Sequence, residues 1–279
     1  MRTCETIDLG LIPYTEAFDL QRRTVAARKV GAIGDVLLIC EHPHVITLGR
    51  NGSKEHLLAS EHVLRQKGVQ FHATDRGGDI TYHGPGQIVG YPILNLGAIR
   101  RDVGWYMRMV EEAMIRATRD FGLVAKREEG KTGIWVETSS AASNMSKESA
   151  KTSEPEKLGA LGVHLSRWVT SHGFAYNVST DLRYFDLIVP CGIAGRKATS
   201  LEKLLMRGIS PSEVKPRLLF HFGEVFEFEM SVRLRASVLD NLLEFEKSQG
   251  VWHAAQAVSG AQADYAATTR QSERECKTV

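Results

Sequence analysis

The chain lacks the features that mark secreted, membrane-spanning and metal-stapled proteins. No apolar run approaches the ~20 residues needed to cross a bilayer, and residues 1–6 lack the apolar core of a signal peptide. No two cysteines form a Cys-x-x-Cys pair, which argues against a zinc ribbon or a redox dithiol. The four cysteines are widely separated: Cys4, Cys40, Cys191 and Cys276. We therefore expect a cytoplasmic protein with free thiols.

The chain also lacks an excess of charge of either sign. Its 35 basic and 33 acidic residues give a net charge of +2, which argues against a nucleic-acid binder that depends on overall charge. No complete phosphate-binding or dinucleotide-binding glycine motif is present, so the sequence gives no positive support to a nucleotide site. With 279 residues, 43% of them hydrophobic and 24% charged, the chain has the composition of a soluble globular protein with a sizeable core.

What the chain does contain is a glycine-rich loop at residues 76–87, Arg-Gly-Gly-Asp-Ile-Thr-Tyr-His-Gly-Pro-Gly-Gln. Glycine has no Cβ and tolerates positive φ, so the backbone of such a loop can approach a ligand closely. Arg76 adds a permanent cation, and His83 adds a group that titrates near neutrality. Residues 88–93 read as a strand, and a polar loop on a rigid strand is a candidate functional site.

Hydrophobic patterning mixes helices and strands without the strict alternation of a doubly wound fold, which favours the α+β class. A helix is predicted over residues 14–30, and a second begins after Asp102 and ends at Gly122. Two strands are predicted at residues 36–40 and 45–48.

The second half is interrupted by residues 139–156, six of which are serine. We interpret this segment as a flexible insertion between two strands of a hairpin. Later strands are predicted at residues 158–170 and 173–178. The run Ser210-Pro211-Ser212-Glu213 predicts a helix start. A last helix is expected over roughly 232–247, before a frayed tail.

Cys191 has the most distinctive surroundings of the four cysteines. An apolar run leads into Pro190-Cys191-Gly192, and the cations Arg196 and Lys197 follow. Positive surroundings favour the thiolate, which is the nucleophilic form of cysteine. The alternative is an inert buried thiol, which is the interpretation we favour for Cys40 within its apolar run.

Lys157 and several histidines leave alternatives open. Lys157 is either a solvated strand end or, if drawn into a pocket, a base or the cationic partner of a thiolate. His42 and His44 give a weak metal signal without a third ligand, and a role as a pocket-wall residue or as a hydrogen-bonding residue is favoured for His42. His164 and His172 are interpreted as structural or exposed. Arg76 is either an anion clamp or an ion-pair partner of Asp75 or Asp79.

Three segments together resemble the lipoyl(octanoyl) transferase family. Residues 76–87 resemble its Arg-Gly-Gly-x-x-Thr-Tyr-His-Gly-Pro-Gly-Gln signature, and residues 41–50 are similar to its upstream His-Pro…Thr-x-Gly-Arg segment. The third segment comprises Lys157, Gly162, residues 170–177 and residues 190–193. The resemblance covers roughly residues 6–225, without the serine-rich insertion.

The resemblance implies a fold shared with biotin and lipoate protein ligases: a mixed sheet, a second smaller sheet and surrounding helices. We accordingly assign residues 1–230 to the catalytic domain, and the pattern and composition of residues 231–279 predict a C-terminal helix with a disordered tail. The resemblance also implies octanoyl transfer through a Cys191 thioester, with Lys157 favouring the thiolate. The substrate-binding residues implied are Arg76, Gly77, Gly78, Asp79, Ile80, Thr81, Tyr82, His83, Ala160, Leu161, Gly162, Gly173, Phe174 and Ala175. Gly77, Gly78, Gly162 and Gly173 are expected to leave room for an acyl chain, and His83 to shape the site rather than act as base.

The partners follow from the same resemblance. The donor is octanoyl–acyl carrier protein, and the acceptors are lipoyl domains of 2-oxoacid dehydrogenases and the glycine cleavage H protein. We expect a monomer that needs no metal or other cofactor and binds neither nucleic acid nor membrane. The candidates for a basic patch that docks the acidic carrier are Arg22, Arg23, Arg28, Lys29, Arg196, Lys197 and Lys203, although the default interpretation of such charges is a solvated face.

Overall fold

The computed structural model describes residues 2–137, 154–189 and 197–233, together with residues 242, 244, 245 and 247. Residues 1–235 form one compact unit and residues 236–279 a second. Most of the predicted insertion and C-terminal tail therefore lies outside the described residues, as does Cys191.

The strands of the first unit form two mixed sheets. In chain order they are β1 (Arg2–Leu11), β2 (Asp35–Glu41), β3 (Val45–Leu48), β4 (Gln70–Ala73), β5 (Ile80–His83), β6 (Gln87–Ile93), β7 (Ala125–Lys126), β8 (Ile134–Val136), β9 (Glu156–Ser166), β10 (Val169–Asn177) and β11 (Phe228–Arg233). The large sheet has the order β11-β1-β2-β6-β10-β9-β8-β7, and the small sheet has the order β4-β3-β5. In the large sheet, β1 runs parallel to both β2 and β11, whereas the pairs from β2 to β7 are antiparallel. The predicted α+β architecture with a second, smaller sheet is confirmed.

The first unit also contains helices, several of which begin at a capping side chain. They are α1 (Tyr14–Lys29), α2 (Glu61–Gln66), α3 (Leu96–Ile99), α4 (Val103–Arg119), α5 (Leu201–Leu205) and α6 (Pro211–Phe226), with 3₁₀ turns at Lys54–His56 and Leu182–Leu187. The Asp102 side chain accepts a hydrogen bond from the Trp105 N–H at the start of α4, and the Ser210 side chain accepts one from the Glu213 N–H at the start of α6. Gly122, at φ +77°, follows α4. These predicted helix ends are confirmed.

The main core lies between the large sheet and the helices α4 and α6. Buried residues of β2, β6 and β10 form one apolar cluster with those helices, while α1 packs on β6 and β10. A smaller cluster fills the space around the small sheet, where Ile46, Ile80 and Tyr82 contact Leu187 and Ile188. Among the described residues, no helix is both long enough and apolar enough to span a membrane.

Two predicted boundaries are wrong. The predicted strand 158–170 is split by a two-residue turn at Arg167 and Trp168, whose φ angles are +51° and +64°. Such a hairpin turn favours glycine or asparagine, and neither is present. Residues 171 and 172, which were expected to separate two strands, lie within β10. The predicted helix start at residue 232 lies within β11.

Candidate active site

A cavity of about 470 Å³ is lined by residues of both sheets. The predicted site residues that line it are Lys157, Arg76, Gly78, Asp79, Ile80, Thr81, His83, Ala160, Leu161, Gly162, Gly173, Phe174 and Ala175. We call residues 76–83 of its lining the loop wall and residues 160–162 and 173–175 the sheet wall. The fold therefore brings together two segments that are nearly 80 residues apart in the chain.

Arg76 fastens the loop wall to β3. Its side chain is buried and donates hydrogen bonds from Nη2 to the carbonyl oxygen of Thr47 at 2.7 Å and to Thr47 Oγ1 at 2.9 Å. The Gly77 N–H crosses to β9, where it donates to the carbonyl oxygen of Val163 at 2.8 Å. This bond joins the backbone beside the two walls, because Gly77 lies between Arg76 and Gly78 and Val163 follows Gly162.

The glycines of the predicted set are required by the packing and conformation of the backbone. A Cβ on Gly162 would lie 2.8 Å from the Gly77 carbonyl oxygen, and one on Gly173 would overlap the Gly90 carbonyl oxygen. A Cβ on Gly77 would lie 3.1 Å from the Val163 carbonyl oxygen. These three glycines allow backbone segments to approach one another, because any side chain would meet a neighbouring carbonyl. Gly78 is needed for its conformation, since its φ is +84°.

Tyr82 and Gly77 are the two described residues of the predicted set that do not line the cavity. Side chains alternate along a strand, so Tyr82 points away from the cavity while its neighbours Thr81 and His83 line it. The Tyr82 hydroxyl lies 2.7 Å from His44 Nδ1, and its ring stacks on Tyr184 with 5.1 Å between centroids. Tyr82 therefore packs on the face of the small sheet that points away from the cavity.

His83 begins a chain of buried hydrogen bonds that runs to the backbone of Lys157. Its Nδ1 lies 2.7 Å from Gln87 Oε1, Gln87 Nε2 donates to Asn177 Oδ1 at 2.8 Å, and Asn177 Nδ2 donates to the Thr199 carbonyl oxygen at 2.9 Å. The Thr199 N–H then donates to the Lys157 carbonyl oxygen at 2.9 Å. The chain links the loop wall to the strand that carries Lys157.

Burial disfavours the charged forms of His83 and His42. Burial, then the charge of His42, lower the pKa of His83 to about 3, against the opposing effect of the Gln87 hydrogen bond. Burial also lowers the pKa of His42 to about 4. His42 Nδ1 lies 2.8 Å from the Ile12 carbonyl oxygen, and its Nε2 lies 2.7 Å from the Tyr91 hydroxyl. The hydrogen-bonding interpretation of His42 is therefore confirmed, and a His83 of such low basicity suits a site-shaping role better than that of a base.

His172 is a cavity residue that the sequence interpretation missed. It is buried, lines the cavity, and adopts a φ of +54°, an uncommon value for a residue other than glycine. Its Nε2 lies 2.7 Å from Asp75 Oδ1, and its N–H donates to Gln21 Oε1. Burial lowers the pKa of His172, and the hydrogen bond and charge of Asp75 oppose that shift. The signal available was its place before Gly173 in a family segment.

Other lining residues were not named as site residues from the sequence. They are Tyr14, Thr47, Asn51, His56, Val89, Tyr91 and Thr132. His56 Nδ1 lies 2.6 Å from Asp79 Oδ2, which pairs a residue of the loop wall with a short 3₁₀ turn. No local pattern marks such a turn as part of a distant pocket.

Lys157 reaches the cavity because β9 is irregular. Ile134 pairs with Gly159 and Trp135 pairs with Lys157, so Leu158 is an extra residue in β9. In a regular strand, Lys157 and Ala160 would point to opposite faces, yet both line the cavity. The Lys157 Nζ lies 4.6 Å from the centre of the Trp135 ring. Lys157 is thus part of the pocket and not a simple solvated strand end.

The described residues on either side of Cys191 are fastened to cavity residues. Before it, the Val189 N–H donates to the carbonyl oxygen of His56 at 2.8 Å. After it, the carbonyl oxygen of Lys197 accepts from the Lys157 N–H at 2.9 Å. Both His56 and Lys157 line the cavity.

The two cysteines within the described residues, Cys4 and Cys40, are core residues. Cys4 and Cys40 are free and buried, and burial raises the pKa of both thiols. The interpretation of Cys40 as a core residue is confirmed.

Comparison with known proteins gives a consistent result. Residues 13–223 match the family model described as the lipoyl protein ligase A/B catalytic domain. The chain is 50% identical over 230 residues to an octanoyltransferase of Solibacter usitatus, covering 82% of this chain and 96% of that protein. It is 46% identical over 237 residues to an octanoyltransferase of Roseiflexus sp., covering 85% and 92%.

Among solved structures, a bipartite lipoate protein ligase from Thermoplasma acidophilum superposes with a TM-score of 0.65 at 14% identity, covering 88% of this chain and 92% of that one. A lipoate-protein ligase A bound with ATP gives a TM-score of 0.65 at 16% identity, covering 88% and 94%. At this identity the two structures show a shared fold, which confirms the fold that the motifs imply. The match over most of its length shows that the chain belongs to the lipoyl protein ligase A/B catalytic domain family.

Proposed function

We propose that this protein transfers an octanoyl group from octanoyl–acyl carrier protein to a lysine of lipoyl domains, the first step of lipoate assembly. The observation that carries the proposal is the joining of Lys157, an apolar sheet wall and a hydrogen-bonded loop wall in one cavity. Its volume lies within the range of about 300–1,000 Å³ that is usual for small-molecule sites. The octanoyltransferase relatives, at up to 50% identity, support the choice of acyl group.

The proposed reaction has two steps. The Cys191 thiolate attacks the thioester carbonyl carbon, the carbon–sulfur bond to the carrier breaks, and the carrier thiolate takes up a proton. The lysine amine of the lipoyl domain then attacks the acyl-enzyme, loses a proton, and releases Cys191 as the thiolate. A thioester intermediate divides one difficult transfer into two easier ones.

Lys157 serves both steps in this proposal. As an ammonium group it favours the thiolate of Cys191 and gives a proton to the departing carrier thiolate. The amine that results accepts the proton from the incoming lysine, directly or through water. The bonds from Lys157 and His56 to the residues flanking 190–196 support this pairing. Cys191 is two residues from Val189, and two peptide units span at most about 7 Å.

The acyl chain is proposed to lie against the sheet wall. Ala160, Leu161 and Phe174 offer it apolar contact, and each buried methylene contributes about 0.8 kcal/mol. The polar loop wall is then left for the thioester end of the substrate, where backbone N–H groups stabilise a developing oxyanion.

Acyl carrier proteins are acidic as a class, so we propose docking at exposed cations near the cavity. Part of the predicted patch is engaged within the chain: Arg28 pairs with Asp35 at 2.8 Å and Lys203 with Glu156 at 2.6 Å. Lys29 Nζ donates to Ser166 Oγ at 3.0 Å. Arg22 and Lys197 are exposed, and Arg196 lies outside the described residues. Lipoyl domains of 2-oxoacid dehydrogenases and the glycine cleavage H protein are the proposed acceptors.

Intact-mass measurement tests the proposal. The wild-type protein, incubated with octanoyl–acyl carrier protein and no ATP, is expected to gain one octanoyl group that hydroxylamine removes. It should then pass that group to a purified lipoyl domain. Cys191→Ser should form no thioester and lose transfer, while Cys276→Ser, the matched control, should behave as wild type. Full transfer by Cys191→Ser would reject the mechanism, and an absolute requirement for ATP would identify a ligase instead.

A further inference from the structure

Trp135 lies against two lysine ammonium groups. The Nζ of Lys157 is 4.6 Å from the ring centre and that of Lys131 is 5.5 Å from it. Both distances fall within the ~6 Å over which the face of an aromatic ring attracts a cation, and tryptophan is the strongest partner for this contact. The indole is only 1% exposed, so water screens the nearer contact weakly.

The local backbone dictates which lysine meets the ring. The extra residue Leu158 makes Trp135 and Lys157 a direct cross-strand pair, and such pairs bring side chains into contact on one face. Gly133, at φ +101°, precedes β8, and a Cβ there would overlap the Gly159 carbonyl oxygen. The Gly133 N–H also donates to the buried Glu111 at 2.9 Å. These backbone contacts just before Trp135 hold β8, the strand that carries the indole, against β9 and α4.

We propose that Trp135 is a positioning residue that holds the ammonium group of Lys157 at the cavity wall through the face of its indole ring. The inference rests on the proposed function, because it gives Lys157 its role beside Cys191. Trp135 is not itself among the residues that line the cavity, so it acts on the reaction through Lys157.

The ring supplies what a flexible side chain lacks. A lysine has four rotatable bonds, and fixing its end costs conformational entropy. The indole face attracts the ammonium form and not the neutral amine, so the contact is strongest in the form that pairs with a thiolate. A lysine held in this way is ready for the first acyl transfer, in which Cys191 attacks the carrier thioester.

Site-specific replacement of Trp135 by fluorinated tryptophans tests the proposal in the full-length protein. Successive fluorine atoms weaken the electrostatic attraction of the ring face while they change its volume little. The rate of octanoyl loading in a single turnover, followed by intact mass, should fall stepwise, reaching about threefold to tenfold with three fluorines. The loading rate of Trp135→Phe should fall within the range of the fluorinated series, and that of Trp135→Leu should be lower than any rate in that series.

Two controls separate positioning from packing. The same fluorinated series at Trp105, whose ring lies 5.6 Å from the Arg100 guanidinium, should leave the loading rate unchanged. In a Lys131→Gln background the loading rate should still fall with each fluorine added to Trp135, because the nearer cation is Lys157. Thermal unfolding of every variant reports whether the fold is intact.

The outcomes are distinct. A stepwise fall at position 135 alone, with unchanged unfolding temperatures, supports the proposal. If the loading rate stays the same across the fluorinated series at position 135, the positioning role of Trp135 is overturned and the proposed function stands. The same holds if the loading rate no longer depends on fluorination once Lys131 is replaced by Gln. A wild-type protein that never becomes loaded instead refutes the proposed function.

Discussion

The loop wall is polar and is held by side-chain hydrogen bonds, whereas the sheet wall consists of small and apolar residues held by the close approach of backbone segments. In the loop wall, Arg76 bonds Thr47 and His83 bonds Gln87. In the sheet wall, Gly162 and Gly173 face neighbouring carbonyl oxygens. The difference indicates that substitutions in the sheet wall should act mainly on folding, whereas substitutions in the loop wall should cost less stability and should also change binding or pH dependence.

The largest effect is expected from a methyl group in the sheet wall. In Gly173→Ala the new Cβ would overlap the Gly90 carbonyl oxygen and lie 2.6 Å from Pro92 Cδ, and both neighbours belong to a fully buried strand. Overpacking of this kind costs about 3 kcal/mol of unfolding free energy. Urea denaturation of the purified variant measures it.

Gly78→Ala is the matched control in the loop wall. Its Cβ would meet no atom closer than Arg76 Nη1 at 3.5 Å, so only the left-handed backbone at φ +84° is strained, at about 1 kcal/mol. Equal losses at positions 78 and 173 would contradict the distinction between the two walls.

Arg76→Lys should loosen the loop wall. Lysine cannot present the planar fork that bonds both the carbonyl oxygen and Oγ1 of Thr47, and a lost hydrogen bond to a charged group costs about 2 kcal/mol. We expect that loss in unfolding free energy, with a higher KM for the octanoyl donor. Arg65→Lys is the control, because the Arg65–Glu61 pair is exposed. An unchanged KM for Arg76→Lys would mean that Arg76 does not contribute to binding of the octanoyl donor.

Much of this fold follows from local signals. Asp102 and Ser210 cap their helices as predicted, Gly122 follows α4 at a positive φ, and the apolar run of β2 is buried throughout its centre. These features depend on hydrogen bonds and hydrophobic contacts within a few residues, so the sequence alone specifies them.

The features that escaped prediction depend on distant contacts. The turn at Arg167 and Trp168 has positive φ without glycine, because the paired strands β9 and β10 impose it. The extra residue Leu158, which turns Lys157 toward the cavity, has no local signature. His56 and His172 reach the cavity through tertiary packing alone. The motif residues could be assigned as a group, but the division into two walls requires the sheet pairing.

His83→Asn should change the pH dependence of stability, because His83 is the buried titratable group of the loop wall. Its folded pKa of about 3 lies below the unfolded value of about 6.5, so the unfolded chain binds the proton more readily. Stability is therefore full above pH 6.5 and falls as the pH drops toward 3. The wild type should lose about 2 kcal/mol more than the variant between pH 7 and pH 5. Parallel urea-denaturation profiles for the two proteins would rule out this contribution.

The smallest effect is expected from Asp75→Asn, at the point where the two walls meet. Asp75 is half exposed, and its Oδ1 lies 2.7 Å from His172 Nε2. His172 precedes Gly173 of the sheet wall in the chain. Asparagine still accepts that hydrogen bond and removes only the charge, so the unfolding free energy should change by less than about 1 kcal/mol. Burial lowers the pKa of His172, and the charge of Asp75 opposes that shift. Without the charge the pKa of His172 should fall further, which NMR titration of the imidazole measures. A larger loss of stability would mean that the walls are joined by this ion pair. A small loss leaves the Gly77 N–H bond to the Val163 carbonyl oxygen as the main link between them.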